Sequence, residues 1–268
     1  MRLFIQHHRR AILSLAAVLI AITLCGITYA SDPYQFNCYA VAWSGLDRIS
    51  TDVYVDPQMS PTQRVQLLHT IHTARLRVAH FFGHLDDEPI IIAGSIPRVY
   101  RVYGSAAGTT GATTLTPFKD YTILGPNGFN VDVISHELTH SELKTHIGWS
   151  TFNLGTTIPL WFDEGLCMLN DERPKYSEAN YQRLTDNGKD APQLHDIASR
   201  VGFYDATTDQ KIGDQRVYIN FMTAKHEVAR WYRLVGPAGL DKLIQDIKDG
   251  KGFDQSYTDI EHTATIAQ

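Results

Sequence analysis

The sequence has little positive charge to spare: 24 Lys and Arg stand against 29 Asp and Glu, a net of −5 over 268 residues. No basic field exists to attract a phosphate backbone. The aromatic residues are also not interleaved with Arg and Lys as a single-strand binder requires, so nucleic acid is excluded as a main partner. Cysteine is scarce as well, limited to Cys25, Cys38 and Cys167. Cys25 falls in an apolar leader, which leaves Cys38 and Cys167 as one pair able to form a disulfide in an oxidising compartment. The alternative for Cys167 is a buried small hydrophobe, because it sits inside the apolar run "WFDEGLCML". Repeats and low-complexity tracts are missing, so residues 31–268 read as one compact unit. With 43% hydrophobic residues that unit has enough apolar material for a core, which excludes a disordered or fibrous chain.

What is present begins at the amino terminus. Arg2, Arg9 and Arg10 precede an uncharged run from Ala11 to Ala30, with Thr28 and Ala30 just before Ser31. The pattern supports two fates: a signal peptide cleaved after Ala30, or an uncleaved anchor, since the run is long enough to cross a bilayer. A lipoprotein site at Cys25 is disfavoured by Leu24, which stands where a small residue is needed. Under either fate residues 31–268 are expected outside the cytoplasm, secreted, periplasmic, or held at a membrane through residues 11–30. Loss of the leader's three Arg takes the net charge from −5 to −8, which again disfavours anionic partners.

Hydrophobic periodicity predicts an α+β fold. Strands are expected at Asp52–Asp56, Pro89–Gly94 and Tyr121–Leu124, with a short strand or helix at Arg98–Gly104. A helix is expected over Pro61–Phe82, capped by Ser60, with Val65, Leu68, Ile71, Leu76 and Ala79 at helical spacing. Ser105–Thr114 reads as a small-residue loop. Helices follow from Val131 to Ile147, after Pro159, from Val217 to Gly236 and from Ala238 to Gly250. Trp231, Tyr232, Leu234 and Leu240 are expected as core between the last helices, and the charged tail after Asp246 as solvated surface. The architecture is then a small mixed sheet with an active-site helix over 31–147, followed by a mainly helical lobe over 148–268.

The chemistry-bearing motif is "HELTH". His136 and His140 are four residues apart, so one helical face carries both imidazoles, and Glu137 stands beside them. Two such nitrogens can reach one zinc ion at roughly 2.0–2.1 Å. Glu137 is the expected general base, and a chance match to the pattern arises in only about 1–2% of shuffled chains. The alternative is a solvated helix with two coincidental histidines. Glu142 departs from the usual pattern, since an apolar residue is typical there.

Two residues compete as third ligand. His146 has the spacing of HExxHxxGxxH, but Leu143 replaces the helix-breaking Gly, and an unbroken helix turns His146 well away from the His136/His140 face. It is otherwise a histidine near a helix carboxyl end, where partial negative charge favours it. Glu164 lies 24 residues after His140 within "IPLWFDEGLCML". A carboxylate in an apolar helix is costly to bury unless it meets a cation, and the alternative is that it faces solvent.

The run Trp161, Phe162, Asp163, Glu164 and Gly165 after "HELTH" resembles the gluzincin family of zinc peptidases, which are thermolysin-like in their core. The resemblance is strong over His136–Glu164 and loose across the rest of Asp52–Gly250. It implies a zincin-like fold, Zn2+ held by His136, His140 and Glu164, Glu137 as catalytic base, and a peptide or protein substrate. It further implies a substrate-presenting edge at Thr110–Thr114, which is otherwise a plain surface loop. A carboxyl-terminal hydroxyl or imidazole is expected to stabilise the oxyanion: Tyr218 matches best, with His226, His195 and Tyr121 as rivals and a core tyrosine as the alternative. The family often places an Asp four residues after the third ligand to orient a histidine. Met168 occupies that place here, which leaves Asp163 or Asp171 as substitutes.

His80 and His84 share a helical face, but Gly83 and the lack of a nearby carboxylate argue against a metal site there. Hydrolysis of another amide, such as a cell-wall cross-link, is the second enzymatic reading. A zinc-binding module without turnover is the third. The presence of Glu137 disfavours it, because a structural site needs no base and usually has four protein ligands.

Overall fold

The computed structural model describes residues 32–104, 110–154, 158–204 and 210–266. The leader and residues 105–109 of the small-residue stretch lie outside the described residues. The fold is α+β: one small mixed sheet in the amino-terminal half, and a mostly helical carboxyl-terminal region. The strands are β1 (Asp47–Arg48), β2 (Val53–Val55), β3 (Ile90–Ala93), β4 (Gly111–Thr114) and β5 (Tyr121–Leu124), in the spatial order β1-β2-β3-β5-β4. Pairings β2/β3 and β3/β5 are parallel, while the outer pairings β1/β2 and β4/β5 are antiparallel.

The apolar run at Ile90–Ala93 follows from its central place. Alternate residues of a strand point to opposite faces, and both faces are covered here. Ile91, Ala93 and Leu124 enter the main core with the long helices, whereas Ile92 and Ile123 pack on the other side. That second side is closed by α1 (Pro33–Tyr39) and α3 (Pro97–Tyr103), which contribute Cys38, Val99, Tyr100 and Tyr103. Cys38 and Cys167 do not pair: both thiols are free and buried, and Cys38 lies against the Tyr103 carbonyl.

On the main face lie α2 (Pro61–Phe82) and α4 (Val131–Ile147), followed by α5 (Trp149–Leu154) and α6 (Leu160–Leu169). Ser60 starts α2 through a reciprocal capping box with Gln63. Asn130 starts α4 by accepting a hydrogen bond from the Val133 amide at 2.9 Å. Two shorter helices follow, α7 (Glu178–Leu184) and α8 (Arg200–Tyr204). The long α9 (Gln210–Lys248) is interrupted at Gly236–Pro237 and is followed by α10 (Phe253–Ile266). One hydrophobic cluster runs from Val53 and Ile71 through Ile134 and Trp161 to Trp231 and Leu243, so both halves share a core. Helix α6 approaches α9 at Gly165, where an added Cβ would stand 2.6 Å from the Ala224 carbonyl oxygen and 2.5 Å from Val228 Cγ2.

Two expectations are corrected. The buried face of α2 is Leu67, Ile71, Ala74, Val78 and Phe82, while Val65 and Leu76 are 69% and 57% exposed. Here the apolar spacing marks a stripe that tertiary packing does not use. The tail after Asp246 is also not all solvated surface. Phe253 and Tyr257 of α10 enter the core, and Tyr257 stacks on Trp231 with ring centroids 4.7 Å apart. Trp231 and Leu240 are core, as expected. Among the described residues no helix is long and apolar enough to cross a membrane.

Asp52, just before β2, pairs with Arg75 of α2. Burial disfavours the carboxylate, but Arg75 outweighs it and holds Asp52 below its usual value of about 3.9. The folded state thus binds this proton less tightly than the unfolded chain does. The pair's contribution is complete above that usual value and is lost as pH falls below it. We expect Asp52→Asn to lower the denaturation midpoint at pH 7, with the difference from wild type shrinking steadily as pH falls below about 3.9. A difference independent of pH would contradict this role for the pair.

Candidate metal centre

Helix α4 is buried on nearly all sides, and its sequence positions the site. His136, Glu137 and His140 project where α4, β4 and α6 meet. Two ties hold α6 in register with α4, and a third fastens its end to α9. Arg77 Nη1 donates to Asp132 in the first turn of α4 at 2.6 Å and to the Asn170 carbonyl at the end of α6 at 2.9 Å. Asn170 Nδ2 donates to Thr139 Oγ1 at 3.0 Å. Lys225 of α9 donates to the Asp171 carbonyl at 2.6 Å.

That register brings Glu164 to the histidines. It does not face solvent: the residue is 4% exposed. Its Oε2 lies 3.3 Å from His136 Nε2 and 3.6 Å from His140 Nε2. Two bonds of 2.0–2.1 Å at a tetrahedral angle place their ligand atoms roughly 3.3 Å apart. Glu164 Oε2 and His136 Nδ1 are buried with no hydrogen-bond partner. A buried oxygen of that kind is costly unless a cation meets it. Burial would raise the Glu164 carboxyl, but His140 and His136 hold it far below the usual carboxylate range. Burial alone would likewise lower His140, yet Asp163 outweighs it and raises the imidazole. Two imidazoles and a carboxylate make a donor set that suits zinc, with one position left open.

Further residues orient this set. Asp163 Oδ1 is 2.9 Å from His140 Nδ1, so Asp163, and not Asp171, supports a candidate ligand. Asp171 instead binds Arg173. His136 Nδ1 has no such partner. The Tyr204 hydroxyl donates to Glu164 Oε1, and burial beside Glu164 keeps that hydroxyl protonated. The sequence offered no signal for Tyr204, whose partner is 40 residues away. Cys167, one turn beyond Glu164, also approaches. His136, His140 and Cys167 each offer a ligand atom within 4.8 Å of the others. Burial pushes the Cys167 thiol well up, so it stays protonated unless a metal ionises it.

Glu137 lies against β4. Thr113 Oγ1 donates to Glu137 Oε2 at 2.8 Å and also lies 3.0 Å from its backbone carbonyl oxygen. Tyr100 donates to the Gly111 carbonyl at 2.7 Å and fixes the same strand from α3. The stretch Thr110–Thr114, expected as a loop or edge, thus contains one of the sheet's two edge strands, β4.

Other expected residues stand elsewhere. His146 is 2.8 Å from Glu142 Oε1, and the unbroken helix carries it away from the pair as its rotation requires. The Tyr218 hydroxyl donates to the Lys175 carbonyl and its ring meets Tyr176, not the histidines. His226 stacks on Tyr181, His195 pairs with Asp196, and Tyr121 is packed inside the sheet. Comparison with protein-family models, curated proteins and solved structures finds no match to this chain.

An added Cβ at Gly111 would stand 2.6 Å from Glu137 Oε1 and 2.8 Å from Val133 Cγ1. We expect Gly111→Ala to destabilise by about 1–3 kcal/mol in chemical denaturation. Glu137→Ala should restore part of that loss, with a coupling of at least about 0.5 kcal/mol. Strict additivity of the two changes would contradict the contact.

Proposed function

We propose that this chain is an extracytoplasmic zinc-dependent peptidase of the gluzincin type, hydrolysing peptide bonds with Glu137 as general base. The observation that carries the reading is Glu164 Oε2, buried without a hydrogen-bond partner and facing the Nε2 atoms of His136 and His140 at 3.3 and 3.6 Å. A zinc ion bound there would supply Lewis acidity, drawing charge from the scissile carbonyl and lowering the pKa of water toward about 7.

The chain's own residues do the rest. Asp163 orients His140, and Tyr204 fixes Glu164, so the ligands are set before substrate arrives. Among the described residues β4 ends the sheet, and its outer edge could take an extended peptide by strand addition, which would lay its carbonyl along Glu137. Glu137 then accepts the proton of the attacking water and passes it to the leaving amine. Tyr218 is the proposed oxyanion partner, and it would have to leave the Lys175 carbonyl to act. Export follows from the leader read in the sequence, with residues 11–30 as signal or anchor.

A second reading rests on Cys167. If its thiolate completes a four-ligand set with His136, His140 and Glu164, no position stays open and the protein is a zinc-binding module without turnover.

Glu164→Ala should lower bound zinc by one ion per chain, measured by mass spectrometry. Glu137→Gln should keep that zinc and lower kcat on a peptide library by about 10²–10⁴-fold. Unchanged cleavage in Glu137→Gln would remove the mechanism. Loss of zinc in Cys167→Ser, from a wild type that cleaves nothing, would establish the second reading instead.

A further inference from the structure

The two residues of α4 that the centre leaves over, Glu142 and His146, meet the connection between α2 and β3. Glu142 is fully buried, and its carboxylate accepts the Asp86 amide at 2.8 Å and the Asp87 amide at 3.0 Å. A carboxylate stands at this position of the zinc-type motif because it pins that connection to α4. So held, the segment presents His84 and Asp86 to His146. His84 Nε2 is 3.1 Å from Asp86 Oδ2, and His146 Nε2 is 3.9 Å from the same oxygen. The two imidazole rings lie 5.1 Å apart between centroids. The lack of a carboxylate near His84, expected from sequence, is thereby corrected: Asp86 supplies it, and His146 in place of His80 supplies the second imidazole.

The geometry points to a second metal site: His84, Asp86 and His146 bind a divalent first-row transition ion of the zinc class. Each offers a ligand atom within 4.8 Å of the other two, bracketing the roughly 3.3 Å edge of a tetrahedral set. Two imidazoles with one carboxylate suit zinc, copper, nickel or iron better than calcium or magnesium. The surrounding charge favours a cation. Helices α2 and α4 both end here, at Phe82 and Ile147, and both direct the negative end of their dipoles at the cluster. Glu142 and Asp86 add formal charge, and Asp241 acts on His146 from the carboxyl-terminal region. On binding, the ion replaces the proton shared by His146 Nε2 and Glu142 Oε1, 2.8 Å apart, and that proton leaves to solvent. Glu142 keeps its two backbone donors throughout.

This site is separate from the centre at Glu164. His146 is six residues beyond His140, about 9 Å along α4 and roughly 120° around it. Its inference does not rest on the proposed peptidase activity. Bound there, the ion clamps the α2–β3 connection to the carboxyl end of the helix that carries the catalytic motif.

The full chain, stripped by chelation and dialysed against zinc chloride, should take up two ions per chain. His84→Ala and Asp86→Asn should each take up one. Their side chains are 58% and 53% exposed, so neither change threatens the core. Zinc at about a hundred times its Kd for this site should raise Tm by roughly 5–10 °C in wild type beyond its effect on His84→Ala. If His84→Ala and Asp86→Asn bind zinc with unchanged stoichiometry and affinity, the second site is overturned. It is equally overturned if wild type holds one ion that Glu164→Ala removes. A single ion lost in His84→Ala and kept in Glu164→Ala would uphold this site and refute the centre instead.

Discussion

Glu164 is an ionised carboxylate buried between two imidazoles, with one oxygen fixed by Tyr204 and the other facing both imidazoles without a hydrogen-bond partner. A charge so placed is tolerated only if its neighbours compensate it, and much of the fold around it can be understood as that compensation. Helix α4 supplies the histidines from one face because they are four residues apart. Helix α6 must then lie close enough for Glu164 to reach them. The Arg77 ties to Asp132 and Asn170 fix its register, and Gly165 lets it approach α9 without a clash. Removing one partner would leave the others with uncompensated buried charge, so the cluster stands or falls as a unit.

The edge strand is bound to the same constraint from the opposite side. β4 touches Glu137 through Thr113 and tolerates its carboxylate only because position 111 has no side chain. Tyr100 anchors the strand from the far layer of the sheet. Under the proposed peptidase reading, a substrate strand added at that edge would meet a carboxylate that Thr113 already orients, the kind of preorganisation from which acid–base groups gain their effect.

Much of this was legible in the sequence. The starts of α2 and α4 follow from local capping chemistry, at Ser60 and Pro61 for α2 and, for α4, at Asn130 or Asp132, of which Asn130 is the cap. Glu164 was legible because a carboxylate inside an apolar helix needs an explanation. Asp163 was legible only as one of two candidates, since choosing it over Asp171 depends on how α6 is rotated against α4. Tyr204 and Tyr100 gave no signal, and Thr113 was legible only as part of Thr110–Thr114: each contact joins segments that only the tertiary fold brings together. The burial of α10 escaped notice for a related reason. Its sequence is mostly polar, and two aromatic residues, Phe253 and Tyr257, carry most of its packing. Glu142 looked like a departure from the motif and His146 like a rival third ligand, and the two meet each other and Asp86 at the end of the same helix.

The central claim concerns which atoms surround a metal at His136 and His140. X-ray absorption at the zinc edge of the purified full chain tests it most directly. The account predicts a shell of nitrogen and oxygen at roughly 2.0–2.1 Å, with the outer scattering of imidazole and no sulfur. A sulfur shell at about 2.3 Å would contradict it, since Cys167 would then be a ligand and the open position lost.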